Sequence, residues 1–330
     1  MQHFETAGAA YLENINDATC APIALELFRY QYEQNALYRQ FTDALRIDPS
    51  SVDQITKIPF LPISFFKTHR VVSGDWETPA LTFESSGTTG ETPSRHFVKD
   101  AALYEDALLA GFRQFYGAPE HYAILALLPS YLERSNASLV YMARVLMRVS
   151  GHPQNGFYLD EWAKLQATLQ ALQANGQRVL LLGVTFALLD FAADFPIDLR
   201  NVIVMETGGM KGRREEWTRA QVHAYLQAQW NIPVVHSEYG MTELLSQAYA
   251  LNDGIFQPSA TMQVLVRDMN DPLSVTTTGT GCLNIIDLAN VHSCAFIATD
   301  DIGKVQPGGH FEVLGRMDHS ALRGCSLMTA

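Results

Sequence analysis

The chain has 330 residues, 47% of them apolar and 18% charged, a composition that belongs to a globular protein with a large core and argues against disorder. Its formal net charge is −12, with 23 basic residues against 35 acidic ones, which argues against a broad basic face for nucleic acid or an anionic membrane. A local basic pocket for a phosphate ligand is compatible with that balance.

The opening residues, Met1-Gln2-His3-Phe4-Glu5, lack the basic-then-apolar layout of a signal peptide. The most apolar run, Val179 to Phe191, is interrupted by Thr185 and Asp190 and falls short of the roughly 20 residues a spanning helix needs. The expectation is a cytoplasmic protein without membrane insertion. Cys20, Cys282, Cys294 and Cys325 form no CxxC and match neither a disulfide framework nor a zinc site. Cys282 and Cys294 lie in apolar, strand-like runs as buried small hydrophobes, and His292 reads as a loop residue.

Up to residue 50 the apolar positions recur at helical spacing, as in Leu25-Phe28-Tyr30-Tyr32 and Leu37-Phe41-Leu45, and predict helices packed on the main body. Pro59, Pro62 and Phe65-Phe66 form an extended approach to the strand-like Ala80-Leu81-Thr82-Phe83. Glu84 to Pro93 follows, a stretch rich in glycine and hydroxyls that leads to a helix from Ala101. Ser85, Ser86, Gly87, Thr88, Thr89 and Gly90 could turn backbone N–H groups and hydroxyls toward one anion; an ordinary surface turn has the same composition. The stretch is neither a Walker A loop nor GxGxxG.

Helices are then predicted over Tyr104–Phe112, Leu139–Val149, Trp162–Leu172 and Arg214–Gln229, with strands at Tyr122–Leu128, Val179–Leu182 and Val202–Met205. This rhythm predicts an α/β fold with a largely parallel sheet covered on both faces. From about residue 257, short strand candidates at 261–266, 282–286, 295–297 and 310–313 predict a smaller β-rich subdomain.

Three further stations carry chemistry. Thr207, Gly208, Gly209 and Lys211 follow a strand, where a flat ring or phosphate could approach the backbone, or where glycine merely tightens a turn. In Glu238-Tyr239-Gly240-Met241-Thr242-Glu243 the tyrosine offers an aromatic face, Thr242 a hydroxyl, and Glu243 a carboxylate suited to Mg²⁺ bridging phosphate oxygens. The bland alternative makes Tyr239 core and Glu243 surface. Thr299-Asp300-Asp301-Ile302-Gly303 ends a strand with carboxylates that could accept from ribose hydroxyls, or is an acidic turn, and Gly315-Arg316-Met317-Asp318 adds a cation.

Together the four stations, in this order, resemble the adenylate-forming superfamily of acyl-CoA synthetases, adenylation domains and firefly-type luciferases. Ile58 to Lys67, Leu128 to Leu139, Glu206 to Arg213 and Arg323-Gly324-Cys325-Ser326 are similar to the acyl-protein synthetases of bacterial bioluminescence, the LuxE-type family. The resemblance implies ATP and Mg²⁺ as cofactors and a large N-terminal-domain fold over residues 1–318. It also implies nucleotide contacts from Ser85 to Gly90, Thr207 to Gly209, Glu238 to Met241, Asp301 and Arg316. Thr242 and Glu243 fall on phosphate and metal, and Cys325, in a short tail over 319–330, carries a fatty acyl group for a partner reductase.

Two departures stand out. Pro93 is followed by Ser94-Arg95-His96 in place of the superfamily's Pro-Lys, and 12 residues follow Asp318, so a C-terminal lid domain with its lysine is expected to be absent. Lys211 or Arg316 could replace that lysine. Extended chain covers about 3.3 to 3.6 Å per residue, so the stretch from Asp318 to Cys325 could carry the thiol roughly 23 to 25 Å. CoA or a carrier-protein thiol is an alternative acceptor, transfer of AMP itself to a cofactor is another reaction, and a homo-oligomer is compatible with the sequence.

Overall fold

A computed structural model describes residues 2–85, 92–129, 136–208 and 217–317. The chain begins with helices α1 (Gln2–Glu5), α2 (Ala9–Glu13), α3 (Cys20–Gln34) and α4 (Ala36–Ala44), as the helical spacing predicts. Asn35, between the last two, has an extended backbone and caps α4 by accepting from the Tyr38 N–H at 3.0 Å. Its own amide donates to the Ser293 carbonyl at 3.1 Å, so the cap also fastens the helix pair to a segment far along the chain.

The predicted extended approach is a two-residue strand, β1 (Leu61–Pro62), followed by one helical turn, α5 (Phe65–Thr68). The turn exists because its neighbouring rings have different partners: Phe65 packs on Phe41 at 5.8 Å and Phe66 on His96 at 5.7 Å between centroids. Next come β2 (Leu81–Glu84) and β3 (Arg95–Val98), an antiparallel hairpin with Glu84 opposite Arg95. The second strand is unpredicted, because four residues beginning Arg-His carry no clear alternation. The glycine- and hydroxyl-rich stretch is thus flanked by two paired strands, and Ser86 to Glu91 lie outside the described residues.

α6 (Ala101–Tyr116) starts at Asp100, whose carboxylate accepts from the Ala102 N–H at 2.8 Å. The order thereafter is β4 (Tyr122–Leu127), α7 (Ser138–Ser150), β5 (Gly156–Phe157), α8 (Trp162–Ala174), β6 (Arg178–Gly183), α9 (Thr185–Asp194), β7 (Val202–Glu206) and α10 (Arg219–Trp230). α9 was hidden in the sequence because it is apolar nearly all round, with seven of its residues buried, so it has no polar face to set a period. α10 begins later than the pattern predicts, at a capping box between Thr218 and Gln221 that satisfies the first free N–H groups.

β8 (His236–Tyr239), β9 (Ala248–Ala250) and β10 (Gln257–Pro258) complete a seven-stranded sheet ordered β10-β9-β8-β7-β6-β4-β5. The five strands from β8 to β5 are parallel, and β9 and β10 add an antiparallel edge. The rest forms β11 (Met262–Arg267), β12 (Val275–Thr276), β13 (Gly279–Asp287), β14 (Phe296–Val305) and β15 (Phe311–Arg316). These make a second sheet ordered β1-β14-β13-β11-β12, with β15 also on β14.

β1 enters that sheet parallel to β14, pairing Leu61 with Ile297. One core joins the N-terminal helices to this sheet through Phe28, Tyr38, Phe66, Ile285 and Phe296, and a second fills the parallel sheet through Ile124, Leu181, Leu188, Leu226 and Trp230. The β-rich C-terminal part thus takes a strand and its helical cover from the first hundred residues. Cys20, Cys282 and Cys294 are buried, as small hydrophobes would be.

Candidate active site

The site lies where β7 and β8 end and the edge of the second sheet approaches. Tyr239, the last residue of β8, is buried and donates its hydroxyl to Asp301 Oδ2 at 2.8 Å. Burial, reinforced by the Asp301 charge, pushes that phenol well above its ordinary range. The other carboxylate oxygen of Asp301 pairs with Arg316 Nε at 3.2 Å. The sequence placed Asp300-Asp301 after a strand's end; they lie inside β14, and Asp301 is the cross-strand partner of Arg316 on β15. The register shifts between Ile302 and Gly303, where a Cβ on the glycine would come within 2.4 Å of the Glu312 carbonyl, so only glycine lets the strands close.

Beyond β8, Glu243 is 4% exposed, which overturns the surface alternative for this residue. Burial raises its carboxyl above the ordinary range, against the opposing pull of the Ser94 hydroxyl and the Arg316 charge. Its segment is clamped by groups the sequence reading missed. His96 of β3, fully buried, donates from Nδ1 to the Thr242 carbonyl at 2.9 Å, and its Nε2 lies 3.1 Å from the Asn290 side chain. Asn290 donates to the Glu243 carbonyl at 2.8 Å. Asp287 accepts from the N–H groups of Leu245, Ser246 and Ala289 and from the Ser246 hydroxyl at 2.6 to 3.2 Å. His96 joins the loop-bearing hairpin to the Thr242-Glu243 segment, and the one signal for it was its place just after the loop.

The third element is the turn after β7. Glu206 closes an otherwise apolar strand and is 3% exposed. It accepts from the Gly208 N–H at 2.7 Å, the Thr185 hydroxyl at 3.2 Å and Arg219 Nε at 3.0 Å, with His223 Nε2 at 3.6 Å. Burial pushes the carboxyl up, but His223, Arg219, Ser237 and the Gly208 N–H outweigh it and hold it at about 2. The turn opens with Gly208 at φ +72, a left-handed conformation suited to glycine, and the buried Thr207 hydroxyl has no hydrogen-bond partner among the described residues. Arg219 also lies 4.9 Å from the Phe256 ring and donates to the Val313 carbonyl at 3.4 Å, linking this turn to β15.

The structure therefore brings together Tyr239, Thr242, Glu243, Asp301 and Arg316, with Thr207 and Gly208 on the adjoining strand end, since Glu206 pairs in register with Ser237. Ser85 closes the base of the hairpin loop: its N–H donates to the Ser94 carbonyl at 3.1 Å, and its Oγ accepts from the Ser94 N–H at 2.8 Å. Met241 rests its sulfur 3.9 Å from the Tyr239 hydroxyl. Glu238 projects from the opposite face of β8 and curls over Gly240. Ser86, Gly87, Thr88, Thr89, Gly90, Gly209, Lys211 and Cys325 lie outside the described residues. Among the described residues no group of three or more His, Cys, Asp or Glu side chains could hold a metal ion, and no helix is long and apolar enough to cross a membrane.

This architecture is the N-terminal-domain fold of adenylate-forming ligases, with no separate lid domain among the described residues. A 2-hydroxyisobutyryl-CoA ligase in its postadenylation state superposes with a TM-score of 0.65 at 14% identity, over 96% of this chain and 70% of that one. A long-chain-fatty-acid-CoA ligase from Archaeoglobus fulgidus gives 0.52 at 15% identity, over 76% and 54% of the two chains. An O-succinylbenzoate coenzyme A synthetase from Bacillus subtilis, in complex with AMP, gives 0.50 at 14% identity, over 73% and 50%. The chain thus spans between half and seven-tenths of these enzymes' lengths. No curated protein matches it. A family model described as acyl-protein synthetase, LuxE, matches residues 10–330, and the chain belongs to that family.

Proposed function

We propose that the protein activates a carboxylic acid with ATP as an acyl-adenylate and passes the acyl group to a thiol, its own Cys325. The observation that carries the reading is the convergence of the hairpin base, the buried Thr242-Glu243 segment and the Tyr239–Asp301–Arg316 triad at the end of one sheet. Family membership and fold support acid activation through an acyl-adenylate. In the first step a carboxylate oxygen bonds to the α-phosphorus and pyrophosphate leaves. In the second, the thiolate attacks the acyl carbon and AMP leaves, carrying the electron pair of the broken C–O bond.

Both reactants of the first step are anions, so catalysis rests on positioning and on neutralising charge. Asp301 accepts from the ribose hydroxyls, the Ser85 to Gly90 loop holds the phosphates, and Arg316, with Lys211, supplies positive charge. Thr207, Gly208 and Gly209 border the adenine with Tyr239, Gly240 and Met241. Magnesium arrives with ATP as part of the substrate; Glu243 would give it one oxygen, the phosphates and water the rest. The acyl part is a fatty chain in this reading, with or without a polar substituent, and an acyl reductase receives the product in the cytoplasm.

The test is Cys325→Ser. It abolishes a hydroxylamine-sensitive acyl-enzyme while acid-dependent ATP–pyrophosphate exchange survives; an acyl-enzyme that persists in the variant refutes the thioester role. A second reading, with CoA as acceptor, is favoured by the CoA ligases among the similar solved structures. Acyl transfer to added CoA by the same variant would establish it.

A further inference from the structure

The two faces of β8 carry different chemistry. Ser237 and Tyr239 face Glu206, His223 and Asp301, whereas His236 and Glu238 face α6 and β9. On that second face Glu238 is the cross-strand partner of Tyr249. Its carboxyl lies over Gly240, where an added Cβ would meet Oε1 at 2.5 Å and Gln247 Cγ at 3.7 Å. Tyr104 and Tyr116 of α6 lie within electrostatic reach of the same carboxyl. Tyr104 packs edge-on against Phe83 of β2 at 5.2 Å, which sets the cluster beside the loop-bearing hairpin.

Tyr116 is engaged, its hydroxyl 3.1 Å from His236 Nδ1. The Gln247 amide nitrogen donates to the Leu245 carbonyl at 3.3 Å. Among the described residues the Tyr249 hydroxyl and Gln247 Oε1 are buried without a hydrogen-bond partner, in residues 1% and 4% exposed. Glu238 is half-buried and makes no hydrogen bond or ion pair among the described residues. Burial and the charge of Glu206 push its carboxyl up to about 8. Buried polar groups are nearly always paired, so the Tyr249 hydroxyl and Gln247 Oε1 beside the half-buried Glu238 carboxyl point to a ligand.

We propose that Glu238, Tyr249 and Gln247 form the specificity subsite for a hydroxyl or amino group on the acyl part of the acid, selecting a hydroxylated or aminated acid over a plain hydrocarbon one. The inference rests on the adenylation reading. The phenol donates, the amide oxygen accepts, and a carboxyl does either according to its protonation, so a hydroxyl or amine satisfies all three where a methyl leaves them unpaired. The subsite lies across β8 from the Asp301–Arg316 pair, which assigns it to the acyl group and removes Glu238 from the nucleotide contacts.

ATP–pyrophosphate exchange tests it with para-hydroxy-, para-amino- and para-methylbenzoate, and with omega-hydroxy, omega-amino and unsubstituted alkanoates of matched length. The best substituted acid exceeds its hydrocarbon counterpart by at least about tenfold in kcat/KM, because an unpaired polar site rejects the analogue that lacks the donor. Tyr249→Phe and Glu238→Leu reduce that ratio to about threefold or less by raising the KM for the substituted acid, with the KM for ATP moving less than about threefold. Glu238→Gln, which keeps a donor and an acceptor, retains most of the preference.

Equal or better use of the hydrocarbon acids by the wild type overturns the proposal. So does an ATP KM that rises as far as the acid KM, which would assign the subsite to the adenine amine. If no acid supports exchange, the adenylation reading fails separately, and the subsite is judged by thermal shift with the same acids and AMP. Stabilisation by the substituted acids in the wild type but not in Tyr249→Phe upholds it; equal shifts in both overturn it.

Discussion

Glu206→Gln is the most informative single change outside the reacting groups. The carboxylate is 3% exposed and receives the Gly208 N–H, the Thr185 hydroxyl and Arg219 Nε, so an amide of the same shape must turn its NH₂ toward at least one donor. Two routes give the cost. Holding the carboxyl at about 2 instead of its ordinary 4.5 corresponds to about 3 kcal/mol at 1.36 kcal/mol per pH unit. Breaking a buried pair costs about 3 to 5 kcal/mol, and Arg219, at 29% exposed, can recover water, which favours the lower end.

The folded value lies below the ordinary one, so the stabilisation is complete above pH 4.5 and is lost as pH falls toward 2. At pH 7 the variant should melt about 4 °C lower, taking roughly 0.7 kcal/mol per degree for a chain of this length. The gap should close as acid protonates the wild-type residue. Melting by circular dichroism across a pH series measures both. A gap under about 1 °C at pH 7, or one independent of pH, refutes the reasoning.

Asp301→Asn weakens the Tyr239 and Arg316 contacts and the proposed ribose contact at once. Exchange assays should show the KM for ATP rising about 30-fold or more, with melting lowered by only a few degrees, since the Arg316 pair is half exposed. Gly303→Ala forces a Cβ to within 2.4 Å of the Glu312 carbonyl and spreads β14 from β15; a loss of about 1 to 3 kcal/mol in urea unfolding is expected, with exchange falling further than stability explains. Asp287→Ala leaves the N–H groups of Leu245, Ser246 and Ala289 unpaired inside the protein and should lower stability by at least about 3 kcal/mol. Burial lowers His96, His236 and His292 to about 4, below the ordinary 6.5, so stability should fall as pH drops from 6.5 toward 4, and His96→Gln should flatten that slope.

Much of the fold was written locally. The apolar runs of β4, β6 and β7 are continuous because both faces of a parallel sheet are covered, and α7 and α8, between β4 and β6, keep a polar side. The site was legible as motifs, since glycines, hydroxyls and carboxylates at strand ends have few other uses together. Helix α9 and strand β3 were not legible: one has no polar face, and the other is too short to alternate.

Residue types and spacing alone determined the α/β class, the β-rich C-terminal part and the candidate stations, because backbone preference and short-range periodicity act over a few residues. Tertiary structure alone decided that Leu61 pairs with Ile297, that Glu243 is buried, that Asp301 faces Arg316 across a bulge and that Glu238 turns away from Tyr239. Each of those outcomes depends on which distant element covers a given face. His96 reaching from the hairpin to Thr242, and Asn35 reaching from the helices to Ser293, make contacts that no window of neighbouring residues contains.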